Sequence, residues 1–261
     1  MTVLDVPPER LARAFERQQR AYAAIRYGSV FRLGAASVVL NPDAPLAAAN
    51  FAAGFDGSPA LVELTLERLP EVFAEADVRP AILLDSPSSL PELGALAEET
   101  GWDAVEESAV MVLDDPARLL EGEPGRIATP VAERHEPAIA EVLADAFDYP
   151  DGVAAALGPL VGQRLDDQRT EAVGAAEDGE LVAAAMAFVD GPLGLVSDLG
   201  VRQEHRGRSF GRAVASAAVA RCLARGAATV WLVVEAGGTA ERFWARLGFE
   251  PAYGVVTYRF R

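Results

Sequence analysis

The chain has 261 residues, half of them hydrophobic and a quarter charged, with 39 acids against 23 basic residues and a formal net charge of −16. Every basic residue is arginine, which excludes a lysine Schiff base or a P-loop lysine; one cysteine and two histidines exclude a disulfide framework and a Cys/His zinc cluster. So acidic a chain disfavours general nucleic-acid binding, and no apolar run approaches the roughly 20 residues of a membrane span.

In chain order, periodicity and turn residues predict a helix over Pro8–Ile25, a strand over Ser29–Leu40 and a helix over Leu61–Ala76. A strand Ala81–Leu84, a helix Pro91–Thr100 and a strand Val105–Leu113 follow. Met1–Glu9 carries two acids and two prolines, so no apolar leader is expected and a cytoplasmic protein is the reading. Asp114–Gly125, reading DDPARLLEGEPG, has the prolines and glycines of a linker, and it divides the chain into domains 1–122 and 123–261. Split after Pro124, the first half holds 9 arginines and 21 acids, the second 14 and 18.

The second half opens with a short strand, Arg126–Val131, then helices over Glu133–Phe147 and Val153–Leu165. Strands Thr170–Ala176 and Glu180–Val189 flank Glu177-Asp178-Gly179, a strong hairpin signal. A strand Leu193–Val201, a helix Phe210–Arg225, a strand Thr229–Val234, a helix Thr239–Leu247 and a strand Tyr253–Phe260 complete the chain. The order βααβββαβαβ is a mixed α/β (α+β) sheet in which antiparallel hairpins precede parallel crossovers.

The loop between the third of these strands and the next helix reads VRQEHRGRSFGR, Val201–Arg212. Gly207 and Gly211 let the backbone turn tightly, and the free N–H groups of the following helix favour an anion. Arg206, Arg208 and Arg212 add charge of the same sense, and Arg202–Arg225 holds six arginines against the single acid Glu204. These features make a pyrophosphate cradle without a lysine, the other reading being a solvated basic turn that caps a helix.

Here the sequence resembles the GNAT superfamily of acyl-CoA-dependent N-acyltransferases. Arg206, Gly207 and Gly211 match its Q/R-x-x-G-x-G/A signature, with Ser209 where the middle glycine is expected. A second segment, VVEAGGTAERFWARLGFEP from Val233 to Pro251, resembles the family's strand–loop–helix at Ala240, Phe243, Leu247, Gly248 and Phe249. Gly237 stands where the family often has Asn, and Trp244 where it often has the tyrosine that protonates the departing thiolate. An indole cannot release a proton near neutral pH.

The resemblance implies that acetyl-CoA lies between the third and fourth core strands. Main-chain groups of Leu199, Gly200 and Val201 would pair with its pantetheine. The loop Arg206, Gly207, Arg208, Ser209, Phe210, Gly211 and Arg212 would hold the pyrophosphate. An amine acceptor would attack the thioester directly, with Asp198 or Glu235 as the base and no metal. The connection Phe147, Asp148, Tyr149 would line the acceptor pocket. His205 and Cys222 are expected to be structural. A catalytically silent acyl-CoA-binding regulatory module is the alternative, since Gly237 and Trp244 both replace groups that often assist transfer.

Gly101-Trp102 and Gly248-Phe249 stand 147 positions apart, and at the same offset Met111 and Leu113 fall on Tyr258 and Phe260. The first half thus resembles an incomplete GNAT-like unit of a tandem protein; two unrelated βαβ units of similar size are the other reading. Its loop Phe55–Ala60 has no arginine, and Asp56 would repel an anion.

Overall fold

The computed structural model describes residues 5–24, 28–44, 46, 49–78, 81–113, 119, 129–131 and 135–261. The linker segment Asp114–Gly125, apart from Leu119, and the division after residue 122 lie outside them. By its internal contacts the chain forms two compact units. The first gathers Met1–Met111, Val233–Arg242 and Pro251–Arg261; the second gathers Val112–Leu232 and Phe243–Glu250.

In the first unit, helix α1 (Pro8–Ala24) precedes strands β1 (Ser29–Leu33), β2 (Ala36–Leu40) and β3 (Phe51–Ala53). Helix α2 (Pro59–Glu75), strand β4 (Ile82–Asp85), helix α3 (Leu93–Glu99) and strand β5 (Trp102–Leu113) follow. The segment Ser29–Leu40, expected as one strand, is a hairpin. Gly34 turns at φ +52, and a Cβ there would come within 2.3 Å of the Thr65 hydroxyl oxygen. That oxygen accepts from the Ala35 N–H at 2.9 Å, tying the turn to α2. Strand β3 was not expected, since three residues are too few to establish a period.

Strands β1–β2 and β2–β3 pair antiparallel, β3–β4 parallel, and β4 pairs antiparallel with the chain's last strand, β11 (Phe249–Phe260). Alternation sorts the side chains between the two faces. Val38, Ala52 and Leu83 pack with Leu66, Leu69 and Phe73 of α2. Val39, Phe51, Ala53 and Ile82 pack on the opposite side with Ala23 of α1. Trp102 and Tyr258 close the larger core.

The second unit holds strand β6 (Thr129–Val131), helices α4 (Glu136–Ala146) and α5 (Asp151–Leu165), and strands β7 (Thr170–Glu177), β8 (Glu180–Asp190) and β9 (Leu193–Val201). A 3-10 turn (Gln203–His205) leads to helix α6 (Phe210–Ala224), strand β10 (Thr229–Glu235) and helix α7 (Thr239–Arg246). The unit boundary falls inside β10 and α7. Strands β6 to β9 pair antiparallel in sequence, and β9 pairs parallel with β10. Strand β8 is buried from Val182 to Val189, and the alanines at 183, 184, 185 and 187 keep both its faces shallow.

The two units repeat one succession: two antiparallel pairings, a helix, then a parallel pairing (β1–β4 with α2, β7–β10 with α6). Gly101 before β5 and Gly248 before β11 share φ +94. Strand β11 nonetheless completes the first unit on β4 instead of closing the second.

Candidate active site

Strand β9 sets the geometry of the second unit's site. It pairs with β10 only from Leu193 to Leu195, opposite Thr229–Trp231. From Val196 onward its edge away from β8 has no registered partner among the described residues. A free strand edge offers main-chain donors and acceptors to an extended ligand.

On its other edge β9 carries a bulge. Met186 pairs with Ser197 and Ala184 with Gly200, so β9 spends one more residue than β8 over this interval. Asp198 sits in it at φ +51, a left-handed conformation uncommon for a side chain other than glycine. The bulge inverts the alternation of the strand. At Gly194 an added Cβ would meet Cys222 of α6 at 2.7 Å; at Gly200, an even six residues on, it would meet Ala146 of α4 at 2.9 Å. In a regular strand both would face the same side.

The Asp198 carboxylate accepts from Arg164 Nη1 at 2.6 Å, the arginine side chain being 4% and the aspartate 22% exposed. Arg164 escaped the sequence reading. Its one visible signal is that it is the sole charged residue of α5 after the opening Asp151.

Beyond Val201 the loop carries two left-handed residues, Gly207 at φ +74 and Ser209 at φ +67, and α6 begins at Phe210. The position expected to hold a glycine therefore does adopt the conformation glycine favours, with serine accepting the strain of about 1 kcal/mol. The serine hydroxyl makes no capping bond, so it leaves the first N–H groups of α6 unblocked. An added Cβ at Gly207 would meet nothing within 4 Å, and one at Gly211 only Val201 and Phe243 at ordinary contact.

The arginines divide into two groups. Arg202 pairs with Glu141 and Glu180, Arg208 with Glu177 at 2.5 Å, and Arg221 and Arg225 with Glu171. Arg206 reaches only a carbonyl, Ala146 O at 2.6 Å, and Arg212 is exposed; neither has a carboxylate partner among the described residues. The charge counted along Arg202–Arg225 is thus largely neutralised, leaving two cations at the loop and the first turn of α6.

His205 packs edge-on against Phe210 at 5.8 Å and lies 3.1 Å from Glu177, in keeping with a structural place. Cys222 is fully buried, and burial pushes its thiol up to about 12. Trp244 is 5% exposed, its ring wedged between Phe243 at 5.2 Å and Phe249 at 5.0 Å.

Phe147 and Tyr149 remain exposed after α4, 46% and 38%, with ring centroids 5.7 Å apart and Asp148 between them at φ +52. Burial of its inner part, with Asp198 nearby, holds the Tyr149 hydroxyl above its ordinary range, so it stays a phenol. Glu235 ends β10, and Gly237 beyond it turns at φ +70, its N–H donating to Glu241.

The corresponding fork of the first unit is filled. Among the described residues strands β3 and β4 pair at Ala52 and Leu83, and the Glu16 carboxylate of α1 accepts there from the Ser86 and Ser88 hydroxyls. A Cβ on Gly54 would stand 3.2 Å from the same carboxylate. Asp56, in the loop before α2, is engaged by Arg32 at 2.7 Å. Tyr253 stacks on Phe15 at 6.3 Å, and burial with Glu16 nearby raises its hydroxyl well above the ordinary range. Among the described residues no group of histidine, cysteine or carboxylate side chains forms a metal cage, and no helix is long and apolar enough to cross a membrane.

Residues 137–249 match the sequence model of the Acetyltransferase (GNAT) family. Over 97% of this chain and 95% of the other, the structure is similar to a GCN5-related N-acetyltransferase from Kribbella flavida, at TM-score 0.72 and 23% identity. The fold is that of the GNAT acetyltransferases. A GCN5-related N-acetyltransferase from Sphaerobacter thermophilus is similar at TM-score 0.58 and 21% identity, covering 86% of this chain and 76% of that one. A tandem GNAT protein from the clavulanic acid biosynthesis pathway is similar at TM-score 0.59 and 17% identity, covering 92% and 86%. Curated protein sequences yield no match. The GNAT match spans α4 to the start of β11, and thus the bulged strand, the loop and α6.

Proposed function

We propose that the protein is an acyl-CoA-dependent N-acyltransferase, using acetyl-CoA as donor and an amine as acceptor, with one working site in residues 123–261. The observation that carries this reading is the loop: two left-handed residues, open N–H groups on α6, and Arg206 and Arg212 without carboxylate partners among the described residues. Arg206, Gly207, Ser209, Phe210, Gly211 and Arg212 would hold the pyrophosphate through main-chain N–H groups and charge. Arg208, tied to Glu177, would contribute its backbone. Leu199, Gly200 and Val201 would pair with the pantetheine along the free edge of β9.

Transfer needs the neutral amine. Its nitrogen attacks the thioester carbonyl carbon, the C–N bond forms, the C–S bond breaks, and CoA leaves as thiolate while a base takes the amine proton. Asp198 and Glu235 are the candidate bases, and Asp198 already accepts from Arg164. The exposed pair Phe147 and Tyr149, with Asp148, would receive an apolar or cationic amine.

The repeated strand succession, the paired glycines at φ +94 and the likeness to a tandem GNAT protein support a tandem origin. With Glu16 filling its fork, the first half would bind no acyl-CoA.

One observation favours a silent acyl-CoA-binding module: Trp244, at the family's acid position, is enclosed by aromatics and offers no proton. A thiol-release assay with acetyl-CoA and a panel of aliphatic, aromatic and peptide amines separates the two. Release above the hydrolysis background with any amine supports the enzyme; binding without release across the panel supports the module.

A further inference from the structure

The pair of buried Arg164 and half-buried Asp198 lies where β9 departs from regular pairing with β8. Asp198 holds a left-handed backbone, and β9 takes an extra residue between Ser197 and Gly200. The extra residue inverts the strand, so that Gly200 packs against Ala146 and Leu143 of α4 while Gly194 packs against Cys222 of α6. A left-handed aspartate persists only where its surroundings hold it. Arg164 does so from the last turn of α5, through a 2.6 Å charge-assisted bond from a nearly fully buried guanidinium.

We propose that Arg164 is a positioning residue, which acts through Asp198 to fix the β9 bulge and so aims the main-chain groups of Leu199–Val201 at the acyl–pantetheine arm of the donor. Asp198 is then an anchor, and its carboxylate is spent on the arginine. The inference rests on the acyl-CoA reading given above and adds to it a residue that no part of the loop motif contains. The pyrophosphate cradle at Gly207–Arg212 belongs to a separate stretch of chain, so the two ends of the donor answer to different residues.

That separation gives the test. Asp198→Asn keeps a side chain that tolerates the left-handed region and removes the charge. Arg164→Met removes the partner, Arg164→Lys keeps a cation, and the double variant Arg164→Met/Asp198→Asn removes both charges of the pair. Two probes are titrated by calorimetry: acetyl-CoA, and adenosine 3′-phosphate 5′-diphosphate, which lacks the pantetheine. Amide hydrogen exchange is followed over residues 196–201.

The expected result is acetyl-CoA binding weakened about tenfold in Asp198→Asn and in Arg164→Met, with no further loss in the double variant and partial recovery in Arg164→Lys. Nucleotide binding stays within about twofold, and exchange over 196–201 quickens. A general loosening would weaken both probes together and overturns the proposal. So does wild-type acetyl-CoA affinity with unchanged exchange in Asp198→Asn, which would return that carboxylate to the role of a base. If the wild-type protein binds neither probe, the acyl-CoA reading fails. The exchange data alone then decide whether Arg164 holds the bulge, quickened exchange supporting it and unchanged exchange ending it.

Discussion

Along β9 and the loop after it, three residues take left-handed conformations, Asp198, Gly207 and Ser209, and only one of them is a glycine. Serine at the middle loop position keeps the turn because the strain of one such residue, about 1 kcal/mol, is small beside the packing of α6. Under the proposed reading Trp244 is the opposite case, a replacement that changes chemistry. Its ring fills a space between Phe243 and Phe249. Trp244→Tyr therefore restores no acid. It leaves a void and a buried hydroxyl, lowers stability by about 1–3 kcal/mol, and gives no gain in thiol release. Urea midpoints beside the release assay check this, and a faster variant of unchanged stability would contradict it.

Asp85 supplies a pH signature. Burial raises its carboxyl from the ordinary 3.8 to about 6 in the folded protein. The folded state then binds the proton more tightly than the unfolded chain, so this group's contribution is fully present below about pH 4 and is lost as the pH rises through 6. Asp85→Asn removes the penalty: thermal melts should rise by a few degrees at pH 8 and match the wild type at pH 4. A lower melting point at pH 8 would show that the ionised carboxylate is stabilising. None of this was legible in the sequence, where Asp85 is one acid among 39. The pairing of Arg208 with Glu177, and of Arg164 with Asp198, was equally hidden, because both join residues at least 31 positions apart.

At the scale of elements, the period-based expectations hold where the elements are long. Helices α1, α2, α4 and α6 and strands β7 to β10 lie within a few residues of their expected bounds. The failures are short or interrupted pieces, such as the turn at Gly34 inside one hydrophobic run and the three residues of β3. Gly211 has room for a methyl group, with Val201 and Phe243 at 3.4 and 3.6 Å from its Cβ position. Gly211→Ala should bind acetyl-CoA within about threefold of the wild type. Gly211→Asp should lose at least about thirtyfold, since it sets a carboxylate where the helix favours an anion. Equal losses in the two variants would mean that bulk, and not charge, governs the position.

For the whole molecule, the offset of 147 residues relates α3–β5 to α7–β11, yet leaves open which strand each would join. In the structure β11 joins β4, with Val256–Arg259 registered against Ile82–Asp85 and Tyr258 in the first unit's core. Pairing partners of like sequence cannot be told apart by period alone. A chain ending at Glu250 should accordingly lose exchange protection at Ile82–Asp85 while strands β7 to β9 keep theirs. Retained protection at Ile82–Asp85 would show that β4 does not depend on β11.

The charge of −16 likewise hides its distribution, since the six arginines of residues 202–225 reduce to two without carboxylate partners among the described residues. On those two and the helix beside them the account stands. Its most direct test is calorimetric titration of the intact protein with acetyl-CoA, with ATP and NAD as controls, repeated on Gly211→Asp. Binding to acetyl-CoA in the micromolar range, lost in the variant, is the expected result. Affinity equal in the two proteins, or none in the wild type, would contradict it.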